Sequence, residues 1–441
     1  MSTQQLLRPT DIPGPDLACS SDPSRRARSL AWTCALCVLA VGPGAFGYTP
    51  STLVAEATVA ALFVWAIGRG DAKRTPIDAL AIVWLLSQAA ATILSYKIGL
   101  GNHSPYPADV YAGGPAGPIH LLVDTAAALM AAYAMLWTAR SEGLRRVLPL
   151  VAASAAVALF CIVEELRNVI YGTPDPRIQA TFTNPNLLGA FLCIALPLLT
   201  AVGLKAKAGR PLHAAVWTLA SLLCVALLLT QSRGALLGCA IGVACVLGPA
   251  WIGCAQTDEA RARRRKTAIR AIGLGCAATV CIAMLVLPRV LHQSRTVSDD
   301  QRQMAWIAAV TIIRLHPILG AGVDSFPAAM AALGLKELNP ETPSGYPMTP
   351  AVHLHAHDLF LQAWVERGLV GAAAVCLLVF LIVRRAGELF RADGIPIDPV
   401  ACGAVGAIVA TLIQNITDYT LWYAPIAILF WMTVGLVFSS E

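Results

Sequence analysis

The chain has 441 residues, enough for about three soluble domains, yet charged residues make up only 13% of it where a soluble protein carries roughly 25%. Hydrophobic residues reach 57% and mean hydropathy is +0.65, more apolar surface than a water-facing shell can carry, which excludes a soluble enzyme. The formal charge of +6 would invite a nucleic-acid reading in a soluble protein, but Lys and Arg fall mostly in short loops between apolar runs, so no nucleic-acid partner is expected.

Residues 1–28, rich in Pro, Ser and Asp and ending on Arg25, Arg26 and Arg28, read as a disordered cytoplasmic tail. A helix that crosses a bilayer needs roughly 20 apolar residues, because every backbone N–H and C=O must be paired internally where no water reaches. About twelve runs qualify, and they predict an all-α, polytopic integral membrane protein. Residues 29–287 hold nine of them: Ser29–Phe46, Leu53–Ile67, Pro76–Ser95, Ile119–Thr138, Val147–Glu164, Asn184–Leu204, His213–Thr230, Gly234–Ile252 and Ala268–Leu287. The first reads as an uncleaved helix, since no clear small-residue cleavage site follows it. A long segment, 288–358, comes next, and residues 359–441 hold three more spans, Leu359–Val383, Val400–Ile416 and Thr420–Phe438.

Twenty-two of the 32 Lys and Arg fall in every second connecting segment, and the other ten are spread over much longer opposite-side segments. The positive-inside rule then places both termini in the cytoplasm and the 288–358 loop outside it. Of the thirteen cysteines, all but Cys19 lie in or at the edges of apolar runs, so no extracytoplasmic disulfide framework is expected. Cys34 and Cys37 form a CxxC inside the first run, read as small packing residues.

Ionisable side chains within or at the edge of a membrane are costly and draw attention to function. With this orientation, Asp124, Glu164, Glu165, Arg233, Glu366, Arg367 and Asp418 all face the outer leaflet. The 288–358 loop holds five of the eight histidines: His292, His316, His353, His355 and His357. Between Arg302 and Arg314, the residues Met304, Trp306, Ile307, Val310 and Ile313 recur at helical spacing, which predicts an amphipathic helix on the outer membrane boundary.

Four segments in order carry a resemblance. They are Thr183-Asn184-Pro185-Asn186 with Leu188-Gly189; Gln231-Ser232-Arg233-Gly234-Ala235; Arg302 and Trp306 followed by His316-Pro317, Gly320, Gly322 and Phe326; and His355-Ala356-His357-Asp358, nine residues, then Gly368-Leu369-Val370-Gly371. Together they resemble the O-antigen ligase and O-antigen polymerase superfamily, from about Phe182 to the C-terminus. Ligases of this family carry Asn, Ser or Gln after the histidine, where this chain has Asp358.

The resemblance implies transfer of a glycan from undecaprenyl pyrophosphate to an acceptor hydroxyl such as that of lipid A-core, with inversion, at the periplasmic face of a bacterial inner membrane. It implies neither cofactor nor metal. A sugar hydroxyl is a poor nucleophile near neutral pH, and imidazole, with an unperturbed pKa of roughly 6.5, suits the role of base; His357 is the expected one. Arg233 and Arg302 match the family's arginines, whose forks suit the charge that grows on a departing pyrophosphate. Arg314, Asp358, His355, Asn184, Asn186 and Asp418 are expected in support, with Asn184 capping a helix that Pro185 opens. The alternating His353, His355 and His357 would also suit zinc, but spacing identifies no fourth ligand.

A polymerase of the same family, whose acceptor is another lipid-linked chain, would use the same leaving group and arginines. Protein O-oligosaccharyltransferases are a further relative, although many add a C-terminal soluble domain for which no segment stands here. A transporter of the bicarbonate-transport-associated type also fits twelve spans, but such proteins usually show repeated halves and polar groups open to both sides.

Overall fold

The computed structural model describes residues 31–42 apart from 34 and 39, then 48–68, 74–98, 117–139, 147–172, 177–206, 211–253, 259, 296–333, 355–391 and 398–439. The N-terminal tail, the expected span Ala268–Leu287, Cys34, His292 and His353 lie outside the described residues. Within them the protein is helical, with no strand. Twelve helices follow in chain order: α1 (Tyr48–Gly68), α2 (Asp78–Ile98), α3 (Gly117–Ala139), α4 (Leu148–Tyr171), α5 (Pro185–Lys205), α6 (Pro211–Thr230), α7 (Arg233–Gly253), α8 (Thr296–Leu315), α9 (Phe326–Ala332), α10 (Leu359–Arg391), α11 (Pro399–Gln414) and α12 (Ala424–Phe438).

Eight of these, α1 to α7 and α10, are long and apolar enough to cross a membrane, and α11, α12 and the apolar helix Ala31–Gly42 are shorter. The protein is therefore a polytopic, all-helical membrane protein. Helix α5 is its hub: almost all of it is buried, between α6, α7 and α11. By contrast α4 and α6 leave Leu159, Val163, Val225 and Leu228 exposed, as a lipid-facing surface requires.

Helix α7 packs closely against α11. A Cβ on Gly238 would strike the Ala410 carbonyl, and one on Gly242 would strike that of Gly406. Small residues at this seam let two backbones touch where lipid offers no hydrophobic drive to associate. The same seam brings the start of α7 against the end of α11: Gly234 has room only for hydrogen beside Thr417 and Gln414.

Helices α11 and α12 hold 16 and 15 residues. At 1.5 Å per residue each is under about 25 Å long, short of the roughly 30 Å of hydrocarbon. The polar turn between them, 415–423, is largely buried and satisfies itself. Asn415 donates to the Thr411 carbonyl at 2.8 Å and to Thr420 Oγ1 at 2.9 Å, and accepts from the Thr420 N–H at 2.8 Å. Non-helical backbone at this depth is tolerated only when protein supplies such partners.

Helix α10 kinks at Gly368, with φ 62° and ψ −156°. The kink releases two carbonyls, which accept from the loop after α8: Ala321 N–H to Val365 O at 2.7 Å and Gly322 N–H to Glu366 O at 3.1 Å. Leu369 N–H returns to the Pro317 carbonyl at 3.1 Å. Insertion of a neighbouring chain into the helical ladder is a recognised cause of kinking. Gly320, at φ 75°, is needed because a side chain there would meet the Glu366 backbone.

The amphipathic helix is present as α8, but its faces differ from the expected ones. Ala305, Ala308, Ala309 and Ile312 are the buried stripe, packed with Phe326, Met330, Ala356 and Val365. Trp306, Ile307 and Val310 turn outward and are exposed. The alanines allow the close approach that larger side chains would prevent, which leaves the larger apolar residues on the outer face.

Candidate functional site

The last described stretch before α10 is 355–358, and it is held by its own helix. Asp358 caps α10, accepting from the Leu361 N–H at 2.7 Å, while Ala356 N–H donates to Gln362 Oε1 at 2.7 Å. Leu359 N–H donates to the Asn415 carbonyl at 2.9 Å, tying this stretch to the 415–423 turn. His357 has φ 52°, a left-handed conformation uncommon for a residue with a side chain and held here by its surroundings. The three alternating histidines do not form a strand in the part described: 355–358 is a bend leading into the helix.

Those constraints set His357 Nδ1 3.2 Å from Asp418 Oδ1. The Asp418 side chain is 11% exposed, and its Oδ1 also accepts from the Tyr419 N–H at 2.8 Å. Burial works to raise the Asp418 carboxyl, but the hydrogen bond and charge of His357, with the charges of His355 and Arg302, outweigh it and hold the group at about 2. Asp418 is thus a fixed anion, and Arg302 on α8 is close enough to be felt by it. Burial pushes the Asp358 carboxyl up, against its hydrogen bonds from Leu361 and Phe360.

His355 stacks 4.5 Å from the His357 ring and sits between Tyr419 at 5.7 Å and Trp422 at 5.8 Å. The nitrogens of His355 and His357 and a carboxylate oxygen of Asp418 all lie within 4.8 Å of one another, a donor set able to hold a cation.

A second group of residues meets the 414–418 segment from the other side. Asn184 caps α5, accepting from the Asn186 N–H at 2.7 Å, with Pro185 in the first turn. The Asn186 carbonyl accepts from Gln414 Nε2 at 2.8 Å, and its side-chain oxygen accepts from Arg177 Nη2 at 3.2 Å. Arg177 also donates to the Thr230 carbonyl at 2.9 Å, next to Gln231, which has φ 53°. Arg233 is the first residue of α7, and its neighbour Gly234 packs against Gln414 and Thr417.

The fold thus gathers His355, His357, Asp358, Asp418, Arg302, Arg233, Asn184 and Asn186 around one polar turn. Arg314 is not among them: exposed in the last turn of α8, it lies about 18 Å along the helix axis from Arg302. Arg177, Gln414, Asn415 and Tyr419 were not singled out by sequence. The polar run Gln414-Asn415-Ile416-Thr417-Asp418-Tyr419-Thr420 between two apolar helices is the signal that could have found the last three.

Residues 218–376 match the family model described as O-antigen ligase. Over that segment the chain is similar to the O-antigen ligase family. The matched segment holds Arg233, Arg302, His355, His357, Asp358 and the kink at Gly368, whereas Asn184, Asn186 and Asp418 come from outside it. It is narrower than the Phe182-to-C-terminus resemblance read from the motifs. The match supports an enzyme of the O-antigen ligase or polymerase type, acting in a bilayer on a lipid-linked glycan and an acceptor. No curated protein is similar enough to the chain to count as a match.

Proposed function

We propose that this protein transfers a glycan from undecaprenyl pyrophosphate to a hydroxyl of lipid A-core, at the periplasmic face of a bacterial inner membrane. Both termini are then cytoplasmic. The observation that carries the reading is the His357–Asp418 contact at 3.2 Å, with Arg302 beside it. A carboxylate at Nδ1 keeps the proton on that nitrogen and makes Nε2 the one able to accept another.

In the reaction, the acceptor oxygen forms a bond to the anomeric carbon while the bond from that carbon to the pyrophosphate oxygen breaks. The acceptor's proton passes to His357, and the imidazolium is stabilised by Asp418. Arg233 and Arg302 take up the charge on undecaprenyl pyrophosphate, in a setting where fixed cations act strongly because water is scarce. A single displacement inverts the anomeric centre. Asn184, Asn186 and Asp358 position the helix ends that bear these groups, and no metal or cofactor takes part.

The test uses purified full-length protein, undecaprenyl-pyrophosphate glycan and lipid A-core in detergent, with and without chelator, comparing wild type with His357→Ala. Glycan on lipid A-core that depends on His357 and persists with chelator supports the proposal. Elongated lipid-linked glycan with lipid A-core untouched would replace it by the polymerase reaction. Loss of transfer with chelator, restored by a divalent cation, would give His355, His357 and Asp418 to a metal instead.

A further inference from the structure

Beside the His357–Asp418 cluster lies a cavity of about 100 Å³ between α2, α3, α10, α12 and the 415–423 turn. His355, Tyr419 and Trp422 line it, as do Trp84 and Trp431, whose rings meet edge to face at 5.1 Å. Its walls carry Gln88, Asp124, Asp324, Gln362, Glu366 and Arg367, an unusual density of polar groups at membrane depth. Glu366 and Arg367 are only 7% and 5% exposed.

Two features suggest a cavity built for a ligand, beyond the needs of packing. The Arg367 guanidinium lies 4.5 Å over the Trp84 ring, yet its buried Nε has no hydrogen-bond partner among the described residues. Buried donors are normally satisfied, so such an exception calls for a water or a ligand. Second, Glu366 is held rigidly: its Oε1 accepts from Gln362 Nε2 at 2.9 Å and from the Asp324 N–H at 3.1 Å. Indole and phenol faces combined with fixed carboxylates and amides match a sugar ring, which presents apolar C–H faces and a rim of hydroxyl donors.

Composition and position decide which sugar. Asp124, Asp324 and Glu366 set three carboxyl groups against the single Arg367, a lining that offers a phosphate or a carboxylated sugar many acceptor oxygens and one guanidinium. Arg233 and Arg302 do not line it, whereas His355, stacked on His357, does. It therefore lies on the side of the base, away from the leaving group. We infer that this cavity holds an uncharged terminal sugar of the acceptor, and that Gln88, Asp324 and Glu366 select the hydroxyl presented to His357. The inference rests on the transferase reading proposed above.

The experiment uses the full chain in nanodiscs with two substitutions on different elements, Gln88→Leu on α2 and Asp324→Asn in the loop before α9. Asn suits the left-handed backbone at residue 324, φ 59°. Tryptophan fluorescence follows titration with methyl glucoside, methyl galactoside and glucose 6-phosphate, and steady-state transfer gives KM for donor and acceptor separately. At least one neutral glycoside should quench the fluorescence and the phosphorylated sugar should not. Each variant should raise the acceptor KM about tenfold or more, the scale of one lost buried hydrogen bond to a charged or amide group, with donor KM and kcat within twofold. Unfolding midpoints at or above that of wild type confirm that both variants fold.

The inference fails if acceptor KM stays within twofold in both variants, if donor KM rises instead, or if the phosphorylated sugar binds as well as the neutral ones. Quenching by a neutral glycoside that both variants weaken, in a protein with no transfer activity, would keep the sugar site and remove the transferase reading. Transfer that requires His357 but ignores Gln88 and Asp324 would do the reverse.

Discussion

Asp418→Asn isolates the part played by the carboxylate behind His357, because it keeps the shape and removes the charge. The wild-type carboxyl is held at about 2 against an unperturbed value near 3.8. That difference corresponds to about 2 kcal/mol of preference for the charged form in the folded protein. A hydrogen bond to a charged group at this distance gives a similar figure, about 1.5–3 kcal/mol. Since imidazolium forms only as the acceptor proton is transferred, most of that stabilisation is felt in the transition state. The expected loss in kcat is therefore about 10–100-fold, with both KM values changed little. His357→Ala, which removes the proposed base itself, should cost about 100–10,000-fold. The sign of the pH effect follows from the same anion. A depressed carboxylate contributes its stability in full above its unfolded value, near 3.8, and loses it as pH falls through about 2. Asp418 therefore keeps its charge across the range in which the enzyme can be assayed, and the acid limb of the wild-type pH–rate profile belongs to another group. Initial rates of glycan transfer from pH 5 to 9, for wild type and Asp418→Asn, test both the loss and the persistence of the charge. A variant with kcat within threefold of wild type would refute the orienting role.

Other consequences follow from particular contacts. Arg302→Lys keeps a charge beside Asp418 but loses the planar fork, and kcat should fall about tenfold with Arg302→Ala lower still, read in the same assay. Burial, aided by the Glu366 charge, raises the Asp324 carboxyl to about 7, so folded protein resists its ionisation. The resulting destabilisation grows from about pH 4, where the unfolded chain begins to ionise, up to about pH 7 and is constant above that. Asp324→Asn should therefore raise the unfolding midpoint at pH 8 and leave it unchanged at pH 4, as thermal unfolding in nanodiscs would reveal. Gly368→Ala puts a side chain at φ 62°, ψ −156° and against the Ile318 backbone, and should cost at least 3 kcal/mol, seen as loss of monodisperse protein in size-exclusion chromatography. Asp358→Asn should keep stability within about 0.5 kcal/mol while Asp358→Ala loses about 1 kcal/mol, by thermal unfolding.

That last pair explains a departure the sequence could only register. The family places an amide or hydroxyl where this chain has Asp358, and spacing alone leaves open what bond is at stake. The structure shows a helix cap, a position at which Asn, Asp and Ser serve almost equally well. Apolar runs made the membrane helices legible, because a bilayer imposes length and hydropathy on each span independently of its neighbours. Gly320 and Gly368 were legible as motif members, but their reasons were not, and Gly242 and Gly406 stood in no motif. Gly368 and Gly320 answer to each other across 48 residues, and Gly242 to Gly406 across 164, through contacts that no local pattern records.

The same limit applies to the site. His357 and the arginines stand in motifs with fixed spacing, while Asp418 stands in a short polar turn with nothing periodic about it. Its importance comes from position. Helices α11 and α12 are too short to carry their connection to the membrane surface, so the turn is drawn into the protein body, where a carboxylate must find a partner. Burial makes an ionised Asp418 costly on its own, and His357 and Arg302 are what make it stable. The dependence runs in both directions: the carboxylate that needs those cations in order to stay charged also holds the imidazole in place. The connection between two short helices thus anchors the proposed base, and lengthening α12 by one turn should release it.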